Sequence, residues 1–177
     1  MLVTDDRDAD SEAAQQALLD STTQAVERLM EYRRAEGIKL EEFFTVRINR
    51  LKELLVQVDP FEHERVEHIK ARLVDGLSKI PAVDYDKGRL EQEMIFYIEK
   101  LDVNEEKQRL GQHIAYFMET MADNRPGQGK KLGFIAQEMG REINTLGSKS
   151  NHAEMQRIVV RMKDELEQIK EQVLNVM

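Results

Sequence analysis

Glu138 and Glu142 stand four residues apart in the run GKKLGFIAQEMGREINTLGSKSN, which extends from Gly129 to Asn151. On a helix that spacing brings both carboxylates to one face, with Arg141 beside them and Thr145 below. Such a face suits a metal ion and a phosphate, and the plainer reading is a solvated Glu-Arg-Glu cluster. His113 follows Glu106 by seven residues and Arg109 by four, so an acid, a cation and an imidazole share one helical flank. Imidazole is the usual proton carrier near neutral pH, although a lone helical histidine more often packs or faces water. His63, His68 and His152 lie in less patterned segments and read as solvated. Glu93, Asp102, Glu105 and Glu106 form a second acidic group around Leu101, which could complete a metal site if that junction faces Glu138. Helix capping and the helix dipole account for Asp102 and Glu105 without a metal.

Charge and glycine single out the same stretch. From Arg125 to Lys149 there are five cations (Arg125, Lys130, Lys131, Arg141, Lys149) against two acids, on a chain of formal net charge −8. A cationic island on an acidic chain suggests a local anion-binding surface. Lys130 and Lys131 follow a glycine-rich loop at a helix start, where free backbone N–H groups also attract phosphate. Ser148 and Lys149 occupy the corresponding far end. Of the nine glycines, five fall here: Gly127, Gly129, Gly133, Gly140 and Gly147. Within a helix glycine costs about 1 kcal/mol relative to alanine, so Gly133 and Gly140 require a reason such as close backbone approach.

The elements that must position these groups are helices. The chain of 177 residues is 34% charged and 6% aromatic, with no tryptophan, three prolines and nine methionines, a balance that favours a helical bundle over sheets. Absence of cysteine excludes disulfides, thiolate nucleophiles and zinc–thiolate sites. No apolar run is long enough to span a membrane, and MLVTDDRDADSE is too acidic for a signal or transit peptide, so a cytoplasmic protein is expected. Residues 1–10 read as a disordered acidic linker and 11–177 as a single helical domain. Periodicity predicts one long helix from Ser11 through Leu55, bent at Gly37 and carrying Leu18, Leu19, Val26, Leu29 and Met30 toward Phe43, Phe44, Ile48 and Leu51. Asp59 and Pro60 open a helix to about Ile80, with Val66, Ile69, Leu73, Val74 and Leu77 on its apolar side. Pro81 breaks the chain, and a helix from about Asp84 to Leu101 follows. Asp102 and Glu105 have the form of a capping box for a helix to Met121, with Leu110, Ile114, Phe117 and Met121 as its seam. NRPGQG, Asn124 to Gly129, is a loop, and Lys130 to Leu146 is helical with Gly147 as its left-handed closure. Asn151 and Glu154 cap the last helix, whose Val159, Met162, Leu166, Ile169, Val173 and Val176 form a coiled-coil-like seam for packing within or between chains. Phe96, Phe117 and Phe134 fall where core packing would put them, which leaves Tyr97 and Tyr116 as the aromatics able to stack on bases.

With these residues in view, the chain resembles the YicC/YloC family of bacterial endoribonucleases, specifically its helical C-terminal part. The resemblance begins near Leu29 with RLMEYRRAEGIKL, similar to the family's Arg-x-x-Glu-Gly-x-x-Leu helix, and includes RLEQEMIFYIEKLDVNEEKQRLGQH from Arg89 to His113. Its most specific part is Gln137-Glu138-Met139, Arg141-Glu142, Asn144-Thr145 and Gly147-Ser148-Lys149. Three positions depart: the family more often has Asp at 133, Asn at 140 and Asp at 152, where this chain has Gly133, Gly140 and His152, so a carboxylate at 133 or 152 is not essential here. The family's N-terminal domain, opening Ser-Met-Thr-Gly-Phe-Gly, has no counterpart, and the acidic start corresponds to the linker after it, so a fragment is expected.

The resemblance implies divalent-metal-dependent cleavage of single-stranded RNA by a ring-like homo-oligomer, a hexamer in the full-length family. RNA cleavage needs an activated nucleophile, charge stabilisation at phosphorus and a proton for the leaving oxygen. Carboxylates holding Mg²⁺ or Mn²⁺ supply the first two and a histidine or lysine the third. With the family in view, His113, Glu138 and Glu142 are the catalytic candidates, the two glutamates being the metal ligands. Arg109, Lys130, Lys131, Arg141, Asn144 and Lys149 are the candidates for holding RNA. The competing expectation is a non-catalytic oligomerisation and RNA-binding scaffold.

Overall fold

The computed structural model describes residues 6–79, 87–123, 125 and 127–176. Six helices account for them: α1 (Asp6–Val56), α2 (Asp59–Ser78), α3 (Lys87–Lys100), α4 (Asn104–Met121), α5 (Gln128–Lys149) and α6 (Ala153–Val173). No strand occurs among the described residues, and the chain is all-α as its periodicity predicts. No helix there is long and apolar enough to cross a membrane. Pro81, Asp84, Asn124, Pro126 and the side chains of His63, Val66 and Leu77 lie outside what is described.

Residues 1–42 and 43–177 are two separate compact units. The first is the N-terminal stretch of α1, helical from Asp6 and helical through Gly37. Its apolar positions Leu18, Leu19, Val26, Leu29 and Met30 are exposed.

The core of the second unit is the trio α4, α5 and α6, joined by the last turns of α1. Leu110, Ile114 and Phe117 on α4 and Leu132, Ile135, Met139, Ile143 and Leu146 on α5 repeat at three- and four-residue steps and are buried, one apolar stripe per helix. From α1, Phe44, Ile48 and Leu51 enter the same core. The Phe44 ring meets Phe117 edge-on at 5.7 Å, the orientation that ring quadrupoles favour. The seam of α6 packs within the chain. Met155, Val159, Met162, Leu166, Ile169 and Val173 are buried, and they run antiparallel to α5 along its glycines.

Those glycines have a steric reason. A Cβ at Gly147 would stand 2.9 Å from Val159 Cγ1, one at Gly140 3.3 Å from Leu166 Cδ2, and one at Gly133 3.4 Å from Val173 Cγ1. The expected close approach is therefore met at Gly133 and Gly140, whereas Gly147 is not the left-handed closure of the helix. α5 continues through it to Lys149, and Gln156 Nε2 donates to the carbonyls of Gly147 (2.6 Å) and Ser150 (2.7 Å). A side chain from α6 thus satisfies carbonyls that a glycine turn would otherwise serve. The left-handed glycine is Gly127 (φ 84°), which precedes α5.

Other helix ends differ from expectation in the same way. The capping box at Asp102 and Glu105 does not form: Val103 occupies the N-cap of α4 with no side-chain cap bond. Asp102 Oδ1 instead accepts from the Asn104 backbone (3.2 Å) and amide (2.9 Å), and Glu105 pairs with Arg109. At α6 the N-cap is His152, again with no side-chain bond, in place of Asn151. His152 is half-buried, not solvated, its ring 5.1 Å from that of Phe61 and its Nε2 3.8 Å from Glu64. His68 is exposed beside Glu64, as expected. Asp59 opens α2 with its carboxylate 2.6 Å from Lys107 Nζ, which ties α2 to α4. Phe96 and Phe134 are surface residues, 59% and 61% exposed, and only Phe117 of the three expected core phenylalanines is buried.

Candidate functional site

The pairing of α4 with α5 aligns the candidate residues. The connection from 122 to 127 is short, which forces the two helices antiparallel, and three side-chain contacts fix the register. Lys149 Nζ lies 2.8 Å from Glu106 Oε1, Arg109 Nη1 lies 4.0 Å from Glu142 Oε1, and Lys131 Nζ sits 4.6 Å from the centre of the Tyr116 ring. From Glu106 to Tyr116 is ten residues on α4 while from Lys149 to Lys131 is eighteen on α5, so the long side chains bridge the pair obliquely and not residue for residue. His113 is one turn beyond Arg109 and Glu138 one turn before Glu142, so both lie on the hairpin side of the Arg109–Glu142 contact. Both are half-buried.

In the middle of this ledge stand Arg109, His113, Glu138, Arg141 and Glu142. Glu142 is nine-tenths buried, with Arg109 at the outer limit of an ion pair. Glu138 is bound by Arg141 Nη1 at 2.6 Å, and the Arg141 side chain is 72% exposed. A carboxylate held in this way balances its charge locally, and the exposed guanidinium keeps donors for an incoming phosphate. Asn144, one turn along the outer face, is exposed.

The two ends of the ledge serve differently. At the hairpin end Lys130 is exposed and Lys131 lies over Tyr116, a cation–π contact. Arg125 is engaged by Asp123 through Nε at 2.8 Å, and that hydrogen bond lowers the Asp123 carboxyl to a pKa of about 2 and raises the Arg125 guanidinium. At the other end Lys149 is turned inward. Its ammonium bonds Glu106 and the Asp102 carbonyl (3.0 Å), which also answers the negative end of the α5 dipole. The acidic group around Leu101 therefore faces Lys149, about 16 Å along α5 from Glu138 by helical rise, and does not extend the Glu138–Glu142 face.

Glu106 is the residue that sequence reasoning undervalued. It is 5% exposed, and its Oε2 is buried without a hydrogen-bond partner among the described residues. The signal was present in the sequence, since Glu106 stands one turn before the seam residue Leu110 and so on the inner side of α4. Phe134 carried the opposite signal. It lies off the α5 stripe of Leu132, Ile135 and Met139, on the outer side that continues through Gln137 and Arg141.

As a metal centre the ledge is open. Among the described residues no group of three or more His, Asp or Glu side chains converges on one point. The donor set is the pair Glu138 and Glu142, and this suits Mg²⁺ or Mn²⁺, which is commonly held by one or two carboxylates together with waters and substrate phosphate. It does not suit a closed protein cage.

Comparison with known proteins agrees with the resemblance drawn from the α5 motif. Residues 58–177 match the family described as "Endoribonuclease YicC-like, C-terminal". The chain is 32% identical over 175 residues to "Probable endoribonuclease YicC" of Clostridioides difficile, a match covering 97% of this chain and 59% of that protein. It is 31% identical over 179 residues to the protein of the same name in Haemophilus influenzae, covering 98% of this chain and 60% of that one. The chain thus spans about three-fifths of the length of these curated relatives. With its α4–α6 core inside the matched region, the chain belongs to the YicC-like endoribonuclease family, whose C-terminal domain it carries in residues 58–177.

Proposed function

We propose that this chain is the helical part of an endoribonuclease that cleaves single-stranded RNA, with the middle of the α4/α5 ledge as its reacting centre. The observation that carries the reading is the contact of Arg109 with Glu142 across α4 and α5, with His113 and Glu138 each one turn from it toward the hairpin. His113 transfers the proton, to the leaving oxygen or from the attacking one, and its half-burial against α5 restricts competing water. Arg109 and Arg141 bind the scissile phosphate and the charge that develops on it, since each is a guanidinium next to the ledge with donors to spare. Lys130, Lys131 and Asn144 hold the strand on either side. Glu138 and Glu142 would hold Mg²⁺ or Mn²⁺, which when bound supplies charge neutralisation and an acidified water. Lys149 drops out of the RNA-binding set because its ammonium is committed to Glu106 and Asp102.

Self-association belongs to the same proposal, as a homo-oligomer of the hexameric kind implied by the family resemblance. In its support, Leu18, Leu19, Val26, Leu29 and Met30 are exposed within about three and a half turns of one helix.

The test is cleavage of an end-labelled single-stranded RNA with Mg²⁺, with Mn²⁺ and with EDTA, using the chain and its His113→Ala and Glu138→Ala variants, alongside mass by light scattering. Metal-dependent cutting that both variants lose, at unchanged mass, supports the reading. Cutting that survives in either variant removes that residue from the mechanism. RNA binding without cutting assigns this region the scaffold role and the chemistry to the remainder of the protein.

A further inference from the structure

Beyond the ledge, the molecule carries a concave surface where the start of α5 meets the chain after α6. It measures about 440 Å³ and is lined by Gly129, Lys130, Gly133, Phe134 and Gln137 on α5 and by Val173, Leu174 and Val176. Two glycines make it. A Cβ at position 129 would stand 2.2 Å from the Val176 carbonyl oxygen, so only glycine lets the C-terminal segment close against the first turn of α5. At 133 the absent side chain leaves the floor open beside Val173. Phe134 and Leu174 wall the opening, 61% and 85% exposed, an unusual cost for two large apolar groups on one small surface.

The rim defines the chemistry of the occupant. Among the described residues none that lines it is acidic, and Lys130 is exposed and makes no ion pair. The first turn of α5 holds no acid, and its N-cap, Gly127, supplies no side-chain acceptor to the free backbone N–H groups there. An apolar slot with an aromatic wall, one amide and a positive edge fits an anion that carries a flat, apolar, hydrogen-bonding face. A nucleotide of an unpaired RNA strand has this combination. Phe134 also stands one helical turn, about 6 Å, before Glu138 on the same side of α5.

We propose that this concavity is a base-stacking subsite: one unpaired nucleobase lies on the Phe134 ring, its edge meets the Gln137 amide, and its phosphate meets Lys130 and the start of α5. The site rests on the reading of RNA as the substrate. It sets where a strand is held relative to the His113–Glu138 step, and so gives the ledge a fixed register on RNA.

The experiment is fluorescence anisotropy of a labelled single-stranded oligonucleotide, in EDTA, with the wild-type chain and the Phe134→Ala and Lys130→Ala variants across a salt series. Phe134→Ala is expected to weaken binding by about 5- to 100-fold, the usual range for removing one stacked base, with no change in salt slope. Lys130→Ala is expected to reduce the slope of log affinity against log salt by about 0.7, one phosphate contact on a single strand. An abasic position scanned along the oligonucleotide should show one site whose loss is large in wild type and absent in Phe134→Ala. Equal affinity of Phe134→Ala and wild type, or an abasic loss that persists in Phe134→Ala, overturns the subsite while leaving RNA as the substrate. Failure of the wild-type chain to bind RNA overturns both. A fall in molecular mass by light scattering in Phe134→Ala would instead make the concavity a contact between copies and overturn the subsite.

Discussion

Lys149→Ala separates two accounts of the same lysine. By residue type and position it belongs to the cationic island and would hold a phosphate. By geometry it neutralises a carboxylate that is 5% exposed, at 2.8 Å, and donates to a backbone carbonyl at 3.0 Å. Removing one partner of a buried pair leaves an uncompensated charge and costs about 3–5 kcal/mol. The lower end applies here because Lys149 keeps 29% of its side chain in water, which lets solvent reach its half of the pair. A loss of about 3 kcal/mol corresponds to roughly 6–12 °C in Tm for a chain of this size. Urea denaturation followed by circular dichroism gives the stability, and the double variant Glu106→Gln/Lys149→Ala should recover a large part of the loss, since a neutral amide needs no counterion. RNA binding across a salt series supplies the second readout. An inward lysine leaves the salt slope unchanged, whereas a phosphate ligand lowers it by about 0.7. A variant that is as stable as wild type and has a reduced slope would refute the assignment of Lys149 to the interior.

Two further outcomes follow from the helix ends and the hairpin loop. Gly147→Ala gains about 1 kcal/mol of helix propensity but sets a methyl 2.9 Å from Val159, an overpacking that costs about 1–3 kcal/mol. A net loss of stability is expected, reversed in a Val159→Ala background; equal effects in both backgrounds, measured by thermal unfolding, would show that the contact with α6 is not the reason for glycine. For Asp123, the folded pKa lies below the unfolded one, so its clasp with Arg125 is fully formed above about pH 4 and is lost as pH falls through about 2. Carboxyl NMR titration should give a midpoint near 2, which Arg125→Ala returns to the ordinary carboxylate range.

The helices were legible because burial follows period. Leu110, Ile114 and Phe117, and Met162, Leu166 and Ile169, recur at three- and four-residue steps whatever they pack against, and each set is buried. What the period does not encode is the partner. The α6 seam could have joined another chain, and only the steric relief at Gly133, Gly140 and Gly147 ties it to α5. Helix ends were the weakest part for a related reason. Asp102, Gly147 and Asn151 have the residue types of local caps, but a side chain from a distant helix, Gln156 or Lys149, bonds the carbonyls at two of these ends, and such partners are invisible to a local pattern. In the site, the i, i+4 spacing of Glu138 and Glu142 was readable from one helix. The facing of Arg109 and Glu142 was not, because it depends on the register between two helices.

That register has a cause in the glycines on the other side of α5. Gly133, Gly140 and Gly147 are spaced by seven, two helical turns, so they form one strip that lets α6 approach closely along most of the length of α5. With that face committed to α6, the side of α5 that carries Lys131, Glu142 and Lys149 has α4 as its neighbour, and their partners on α4 are Tyr116, Arg109 and Glu106. The apolar residues between the two faces supply the cohesion. The charged row supplies the alignment, since a slip by one turn would separate buried Glu106 from Lys149 and leave its carboxylate uncompensated. The buried pair at the far end of the hairpin therefore acts as a stop for sliding, and Arg109 stays within reach of Glu142 because Glu106 and Lys149 hold together.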